Sequence, residues 1–260
     1  MPQHTGYEQC AHLYDLSDTK DNVSFFGAYA AQVEAIIDIG AGTGRIAFPL
    51  AERGCRAVCV EPSPAMRTQC EKKLAARPDL NDRVTILAGD AATFDLGWTF
   101  RAAFMSGSFD HLLTVGERRP ALANIARHLE LGGLLVFDVF LGLMRNSPLE
   151  PAGQAREGER EHRRYVGARL LPDRQMEITL VFETYVEGIL QERIEERSVV
   201  GLTDCEEVRR LLNETGFLVE REFSDYRFTP YRADNPLLIV GAQRLAHPAH
   251  SLDSRPDRAA

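Results

Sequence analysis

Several things are scarce in this chain, and each scarcity removes a class of answer. No stretch approaches the roughly 20 consecutive apolar residues that a membrane-crossing helix needs, although hydrophobic residues make up 44% and charged ones 26% of the 260, ordinary values for a globular protein. No membrane partner is therefore expected. Cysteine is sparse: Cys10, Cys55, Cys59, Cys70 and Cys205 are odd in number and form no C-x-x-C pair. Neither a disulfide framework nor a zinc knuckle is indicated, and the thiols read as small buried hydrophobes. The 7 histidines are scattered, without an H-E-x-x-H arrangement, so no metal is expected. Basic residues are outnumbered, 30 Lys and Arg against 38 Asp and Glu, for a net charge of -8 and a sequence pI near 5.5. A nucleic-acid substrate, which demands a basic face to neutralise phosphates, is not expected. Even the densest basic stretch, 156–164, nearly balances its charges and reads as a solvated surface. The lone Trp98 reads as a packing residue in a loop. The polar start Met1-Pro2-Gln3-His4-Thr5-Gly6 lacks a signal peptide's basic and apolar regions, and a cytoplasmic location is expected.

What is present begins with Ile36-Ile37-Asp38-Ile39-Gly40-Ala41-Gly42-Thr43-Gly44-Arg45. A short β-branched run of this kind suits a strand buried on both faces, and Arg45 to Gly54 then switches to helical spacing. Glycines at such a turn permit positive φ and let a ligand approach the main chain without meeting a Cβ. The spacing separates two cofactor classes. A dinucleotide fingerprint is G-x-G-x-x-G, whereas here the third glycine comes one position early and Arg45 stands where that pattern needs Gly or Ala. The Asp-x-Gly-x-Gly-x-Gly pattern of Asp38 to Gly44 resembles class I S-adenosylmethionine (SAM) methyltransferases.

The following segments strengthen that resemblance. Ala57-Val58-Cys59-Val60-Glu61 reads as a second buried strand ending in an acid, with Ser63 as N-cap and Pro64 at N1 of the next helix. A carboxylate there can accept from both hydroxyls of a ribose. Val84-Thr85-Ile86-Leu87-Ala88 reads as a third strand leading to Gly89-Asp90-Ala91, where the family places an acid and a small residue beside the adenine. Phe100 to Met105 reads as a fourth strand, Ala121, Ile125, Ala126 and Leu129 as helix-period positions, Gly132-Gly133 as a turn and Leu134 to Val139 as a fifth strand. Such β-α alternation predicts an open α/β, Rossmann-like fold: a seven-stranded, mostly parallel sheet with helices on both faces and the cofactor at the strands' carboxyl ends. The resemblance implies SAM as cofactor, with S-adenosylhomocysteine (SAH) as product, held by Asp38, Gly40, Ala41, Gly42, Thr43, Gly44, Arg45, Glu61, Pro62, Met66, Asp90, Ala91, Met105 and Ser106.

The expected organisation is a helical N-terminal lid over residues 1–30, a core over 31–141 and 202–245, an inserted antiparallel β cap over 142–201 and a frayed tail over 246–260. Pro, Gly and charge dominate until about Arg164. Strand-like segments follow at 169–171, 176–186 and 192–200, with turns at Pro172-Asp173 and Glu187-Gly188. Thr203 to Glu206 reads as a capping box opening a helix over 206–215, stopped by Gly216. Phe217 to Phe223 and Pro236 to Ala242 read as the last two strands.

The chain looks more narrowly like small-molecule methyltransferases of bacterial secondary metabolism. Ala11 to Leu16, followed by Asp21 and Phe25-Phe26, resembles the lid of enzymes that N-methylate aminosugars, and Ser108-Phe109-Asp110-His111-Leu112 falls where they carry a Ser-x-x-His-Leu segment near the reacting amine. Met105-Ser106-Gly107-Ser108 is unlike the Asn/Asp-Pro-Pro-Tyr motif of enzymes that methylate DNA base amines. The expected reaction is methyl transfer to a small-molecule acceptor, an amine first and a hydroxyl second. His111 is the candidate general base, and Tyr14 is a second candidate at the reacting centre. Tyr7, Phe26, Phe109, Asp110, Phe140 and Arg145 are placed by topology to line the acceptor pocket. The bland alternatives are a packed His111 at a helix start, a Tyr14 ring that only seats the lid, an Asp110 that only meets a helix dipole, and an idle SAM-binding protein. A homo-oligomer is compatible with the sequence.

Overall fold

Strand β1 (Ala35–Ile39) shows why both faces of the central sheet are covered. Ile37 and Ile39 join one apolar cluster, while Ile36, one residue out of phase, joins another, the period of two that a doubly buried strand requires. The computed structural model describes residues 7–17, 22–141 and 145–246. The start Met1–Gly6, residues 18–21 (with Asp21), residues 142–144 and the tail from His247 lie outside the described residues.

Four further strands, β2 (Arg56–Glu61), β3 (Val84–Ala88), β4 (Phe100–Met105) and β5 (Leu129–Phe140), pair in parallel, and β11 (Leu237–Arg244) and β10 (Phe217–Phe223) complete the sheet antiparallel. The order is β10-β11-β5-β4-β1-β2-β3, so the expected seven-stranded α/β sheet is borne out. Helices α4 (Val115–Arg127) and α5 (Cys205–Glu214) bury Leu122, Ile125, Leu211 and Leu212 on one face. On the other, α1 (Val23–Ala30), α2 (Ala47–Glu52) and α3 (Pro64–Ala75) bury Phe25, Phe26, Phe48, Leu50 and Cys70. Cys10, Cys55, Cys59 and Cys70 are buried and Cys205 is half-buried.

Several local expectations need correction. The Gly132-Gly133 pair makes no turn ahead of β5: it sits inside the strand, where the register jumps from Phe100↔Leu129 to Ala102↔Leu134. Gly132 has φ +79 there, a bulge conformation that favours glycine. The N-cap of α5 is Asp204, which accepts from Glu207 N at 2.8 Å, while the reciprocal capping box belongs to Thr114 and Glu117 at the start of α4. Trp98 packs its ring 6.2 Å from that of Phe100 but is 59% exposed.

A second, antiparallel sheet runs β6 (Ser147–Glu157), β7 (Arg160–Leu171), β8 (Gln175–Val186) and β9 (Ile189–Gly201). It bears out the antiparallel insertion and adds β6, where Pro148, Pro151 and Gly153 argued for loop. That strand is a sheet edge, and its pairing with β7 shifts register between Ser147 and Glu150 and between Pro151 and Gly153. Edges and bulges are where a strand tolerates proline. The insertion is fastened to the main sheet by Arg118, only 2% exposed, whose guanidinium donates to Gly201 O at 2.9 Å and Glu207 Oε1 at 2.5 Å. A Cβ at Gly201 would lie 2.4 Å from Leu113 O, so glycine is what allows this approach.

Candidate active site

The chain lays β2 and β3 to one side of β1 and β4 and β5 to the other, which puts the topological switch point at the carboxyl ends of β1 and β4. A cavity of about 590 Å³ opens there, within the range of small-ligand pockets. A larger hollow of about 790 Å³ lies elsewhere, bounded by Ala35, Arg56 and Phe100 at the amino ends of β1, β2 and β4. No glycine loop opens into it, so size does not choose the site.

The floor is the loop after β1. Gly40, Gly42 and Gly44 have φ of +67, +58 and +80, all in the left-handed region. Their reasons differ. A Cβ at Gly40 would fall 2.5 Å from Ser108 Cβ and one at Gly44 2.4 Å from the Phe48 ring, whereas nothing lies within 4 Å of one at Gly42. The first and third glycines answer to protein packing, and the middle one faces open space. Glu61 reaches back from β2 and ties the loop down: Oε2 accepts from Gly42 N at 2.8 Å and Oε1 from Ser63 N at 2.7 Å. Asp38 is 2% exposed and lines the cavity, yet its Oδ2 has no hydrogen-bond partner. Burial pushes its carboxyl up to about 7, with Arg45 opposing and Glu61 adding to the shift. A buried carboxylate oxygen left without a donor costs stability, which is tolerable where a ligand will supply one.

The rim is Asp90 and Ala91. Asp90 accepts from Ala92 N at 2.9 Å and from the Thr93 hydroxyl, so it also caps its own turn.

The roof comes from the N-terminal segment. Tyr7 stacks edge-on against Tyr14 (centroids 5.4 Å apart) and against His111 (5.8 Å), and the Tyr7 hydroxyl lies 3.5 Å from His111 Nε2. This segment is held at both ends. Gln9 N and Cys10 N donate to the Glu196 carboxylate on β9 at 2.8 and 3.0 Å, and Cys10 and Leu13 pack with Leu180, Phe182 and Ile194 of the second sheet. At the other end Asp15 accepts from Thr43 Oγ1 at 2.8 Å and pairs with Lys73, which also donates to Thr43 O at 3.0 Å. Helix α1, expected within a lid, instead packs its phenylalanines into the core.

His111 ends a short 3-10 turn, Phe109–His111, after β4. The preceding Ser108 anchors that turn by donating to Ile39 O at 2.9 Å. Burial pulls the imidazole below its ordinary 6.5, so it is neutral at pH 7 and able to accept a proton.

Of the residues expected at the cofactor, all except Gly44 line this one cavity, together with Tyr7, Tyr14 and His111. Five residues expected at the acceptor do not. Phe26 is fully buried beside Phe104. Phe109 packs on Phe137 with centroids 4.8 Å apart. Asp110 turns inward and accepts from Phe140 N at 3.1 Å, while Phe140 and Arg145 are exposed away from the cavity. Topology located this turn correctly, but successive side chains on a 3-10 turn point about 120° apart, and only His111 of the three faces the hollow. The sequence reading missed Glu8 and Glu117, which line the cavity, and a polar chain beneath it through Asn22, Asp138 and Tyr226. The available signal for the latter was Asp138, the one charged residue in the apolar run Leu134 to Phe140.

Comparison with known proteins adds to this geometry. Residues 36–133 match a methyltransferase domain. The family resemblance read from Asp38 to Gly44 is thereby borne out. The matched methyltransferase domain runs from β1 to the bulge of β5 and so contains the whole floor and His111. The uncharacterized methyltransferase YrrT of Bacillus subtilis is 33% identical over 103 residues, 39% of this chain and 45% of that protein. The chain thus spans about half the length of that curated relative. Two solved structures share the fold over nearly the full length: the CcbJ methyltransferase of Streptomyces caelestis (TM-score 0.77, 22% identity, covering 95% of this chain and 100% of that one), and SAM-bound CalS10, an amino pentose methyltransferase of Micromonospora echinaspora (TM-score 0.70, 20% identity, 94% and 99%). Among the described residues there is no helix long and apolar enough to cross a membrane and no cluster of three metal-ligating side chains.

Proposed function

We propose that this chain is a SAM-dependent methyltransferase acting on the amine of a small natural product or aminosugar. The observation that carries the reading is that one cavity holds both the floor of Asp38, Gly42 and Glu61 and, at its roof, a buried neutral His111. The floor suits the donor. The open space over Gly42 admits close approach to the main chain, the partnerless Asp38 oxygen awaits a donor such as an α-ammonium, and each Glu61 oxygen accepts one backbone bond, leaving capacity for a ribose hydroxyl. Asp90 and Ala91 would meet the adenine at the rim.

When bound, SAM supplies an electrophilic methyl on a sulfonium centre. The chain's own part is placement, exclusion of water and a proton acceptor. Tyr7 and Tyr14 close the roof, and His111 Nε2, beside the Tyr7 hydroxyl, takes the proton that the acceptor nitrogen must shed. An amine is favoured over a hydroxyl because, beyond the carboxyls assigned to the donor, the lining adds those of Glu8 and Glu117 and no Lys or Arg other than Arg45, a field that draws a cationic amine to the site. The amino pentose activity stated for CalS10 is consistent with this choice.

Calorimetric titration with SAM, SAH and NAD tests the donor, and a screen of small amines and alcohols for methyl transfer tests the acceptor. Micromolar binding of SAM and SAH without NAD, followed by turnover on amines, is expected. Binding of NAD alone would overturn the donor reading, turnover only on alcohols would make it an O-methyltransferase, and binding without turnover on any acceptor would leave a donor-binding protein. His111→Ala should lower turnover far more than SAM affinity; an equal loss of both would make His111 structural.

A further inference from the structure

Asn22 occupies the N-cap position of α1, where an asparagine side chain ordinarily accepts from a helix N–H. It does not do so here: the residue has helical φ and ψ (-83°, -13°) and its side chain makes no capping bond. The side chain is 7% exposed and is spent elsewhere. Its Oδ1 accepts from Arg45 Nη1, and its Nδ2 donates to Ser106 Oγ at 2.8 Å. Ser106 Oγ in turn donates to Asp138 Oδ2 at 3.2 Å. Asp138 is closed off by two more donors, Tyr226 OH on Oδ2 at 2.8 Å and Gly107 N on Oδ1 at 2.5 Å.

Every donor in this chain points the same way, from the guanidinium through the amide and the hydroxyl to a buried carboxylate. The polarity fixes the asparagine amide, because a flipped amide would present N–H groups to a guanidinium that can only donate. Asp38 and Asp138 are both buried and both feel the Arg45 charge, and the Asn22 oxygen helps to hold the guanidinium at the wall of the cavity that Arg45 lines. Asn22 stands immediately before α1, 23 residues from Arg45, and Tyr226 comes from the connection between β10 and β11.

We infer that Asn22 is a positioning residue for the donor's amino-acid arm: it sets the Arg45 guanidinium to receive the arm's carboxylate, with Ser106, Asp138 and Tyr226 bracing it. This rests on the SAM reading above and goes beyond it by assigning three residues outside the matched domain segment or its motifs, Asn22, Asp138 and Tyr226, to one end of the donor. Guanidinium and carboxylate meet as a planar pair, and such recognition loses most of its strength when the fork is free to rotate.

The test compares two ligands on the full chain by calorimetry: SAH, which carries the amino-acid arm, and 5′-methylthioadenosine, which keeps the adenosine and the sulfur but ends in a methyl. Asn22→Ala should weaken SAH about tenfold or more, as expected for loss of a charge-assisted bond, while methylthioadenosine affinity stays within twofold. Asn22→Asp, which keeps an acceptor for the guanidinium but loses the donor to Ser106 and pairs the Arg45 charge with a second carboxylate, should likewise weaken SAH and leave methylthioadenosine within twofold. Arg45→Ala with Asn22→Ala should be no weaker for SAH than Arg45→Ala alone, the signature of one residue acting through another. The inference is overturned if Asn22→Ala weakens both ligands alike, if it leaves SAH unaffected, or if the two losses add. Failure of the unmodified chain to bind SAH would instead refute the donor reading itself. Should Asn22→Ala not fold, Tyr226→Phe gives the same comparison with the ring retained, and equal effects on the two ligands would again overturn the inference.

Discussion

Replacing Gly42 by alanine separates the cost of folding from the cost of binding. The residue sits at φ +58, where an alanine is strained by about 1–2 kcal/mol. Nothing in the protein lies within 4 Å of the added methyl, so no steric penalty joins the backbone one. For a chain of this size a loss of about 1 kcal/mol lowers the melting temperature by roughly 2–4 °C, and Gly42→Ala should therefore melt only a few degrees below the parent. The methyl does, however, project into the space assigned to the donor, where a ligand atom at ordinary contact distance of about 3.5–4 Å can no longer sit. SAH affinity should fall by at least about tenfold, or 1.4 kcal/mol. Gly44→Ala makes the contrast. Its Cβ would lie 2.4 Å from the Phe48 ring and 2.9 Å from Cys70 Sγ at φ +80, so overpacking of about 1–3 kcal/mol adds to a similar backbone strain. Its damage should appear first in the melting curve. Thermal unfolding without ligand and calorimetric titration with SAH, run on both variants, measure the two quantities separately. Retained SAH affinity in a folded Gly42→Ala protein would refute the placement of the donor over this glycine.

Two further outcomes follow from the site's surroundings. Burial holds the Asp110 carboxyl up at about 8, against 3.8 when free; the folded state therefore binds more protons than the unfolded one between those values, and stability declines as pH rises through that window. Asp110→Asn, which keeps an acceptor for Phe140 N, should gain stability over the parent by an amount that grows from pH 4 towards pH 8 in denaturant titrations; a constant difference across that range would contradict the shift. Asp15→Asn removes the charge that pairs with Lys73 while leaving a hydrogen-bonding group for Thr43, so SAH should dissociate several-fold faster in a stopped-flow chase with little change in melting temperature, and an unchanged rate would mean that the roof does not open at that end.

Legibility in the sequence followed the distance over which each feature is built. The floor was readable because its parts are local: a strand, a loop whose backbone must take positive φ at Gly40, Gly42 and Gly44, and a helix start at Ser63 that accepts from Met66 N as its position implied. Glu61 is 19 residues from the glycine it holds, close enough for strand order to bring it there. The roof is different. Gln9 meets Glu196 across 187 residues, Tyr7 meets His111 across 104, and Tyr226 meets Asp138 across 88; no periodicity encodes such pairings. The same division has a functional consequence. On the proposed reading, the donor side rests on backbone requirements at Gly40, Gly42 and Gly44 that tolerate few residue types, whereas the acceptor side is closed by side chains of the N-terminal segment, Tyr7 and Tyr14, and by His111. Substitutions that change which acceptor is taken should therefore concentrate in 7–17 and 107–117, and those that change donor affinity in 38–66 and along the Asn22 chain.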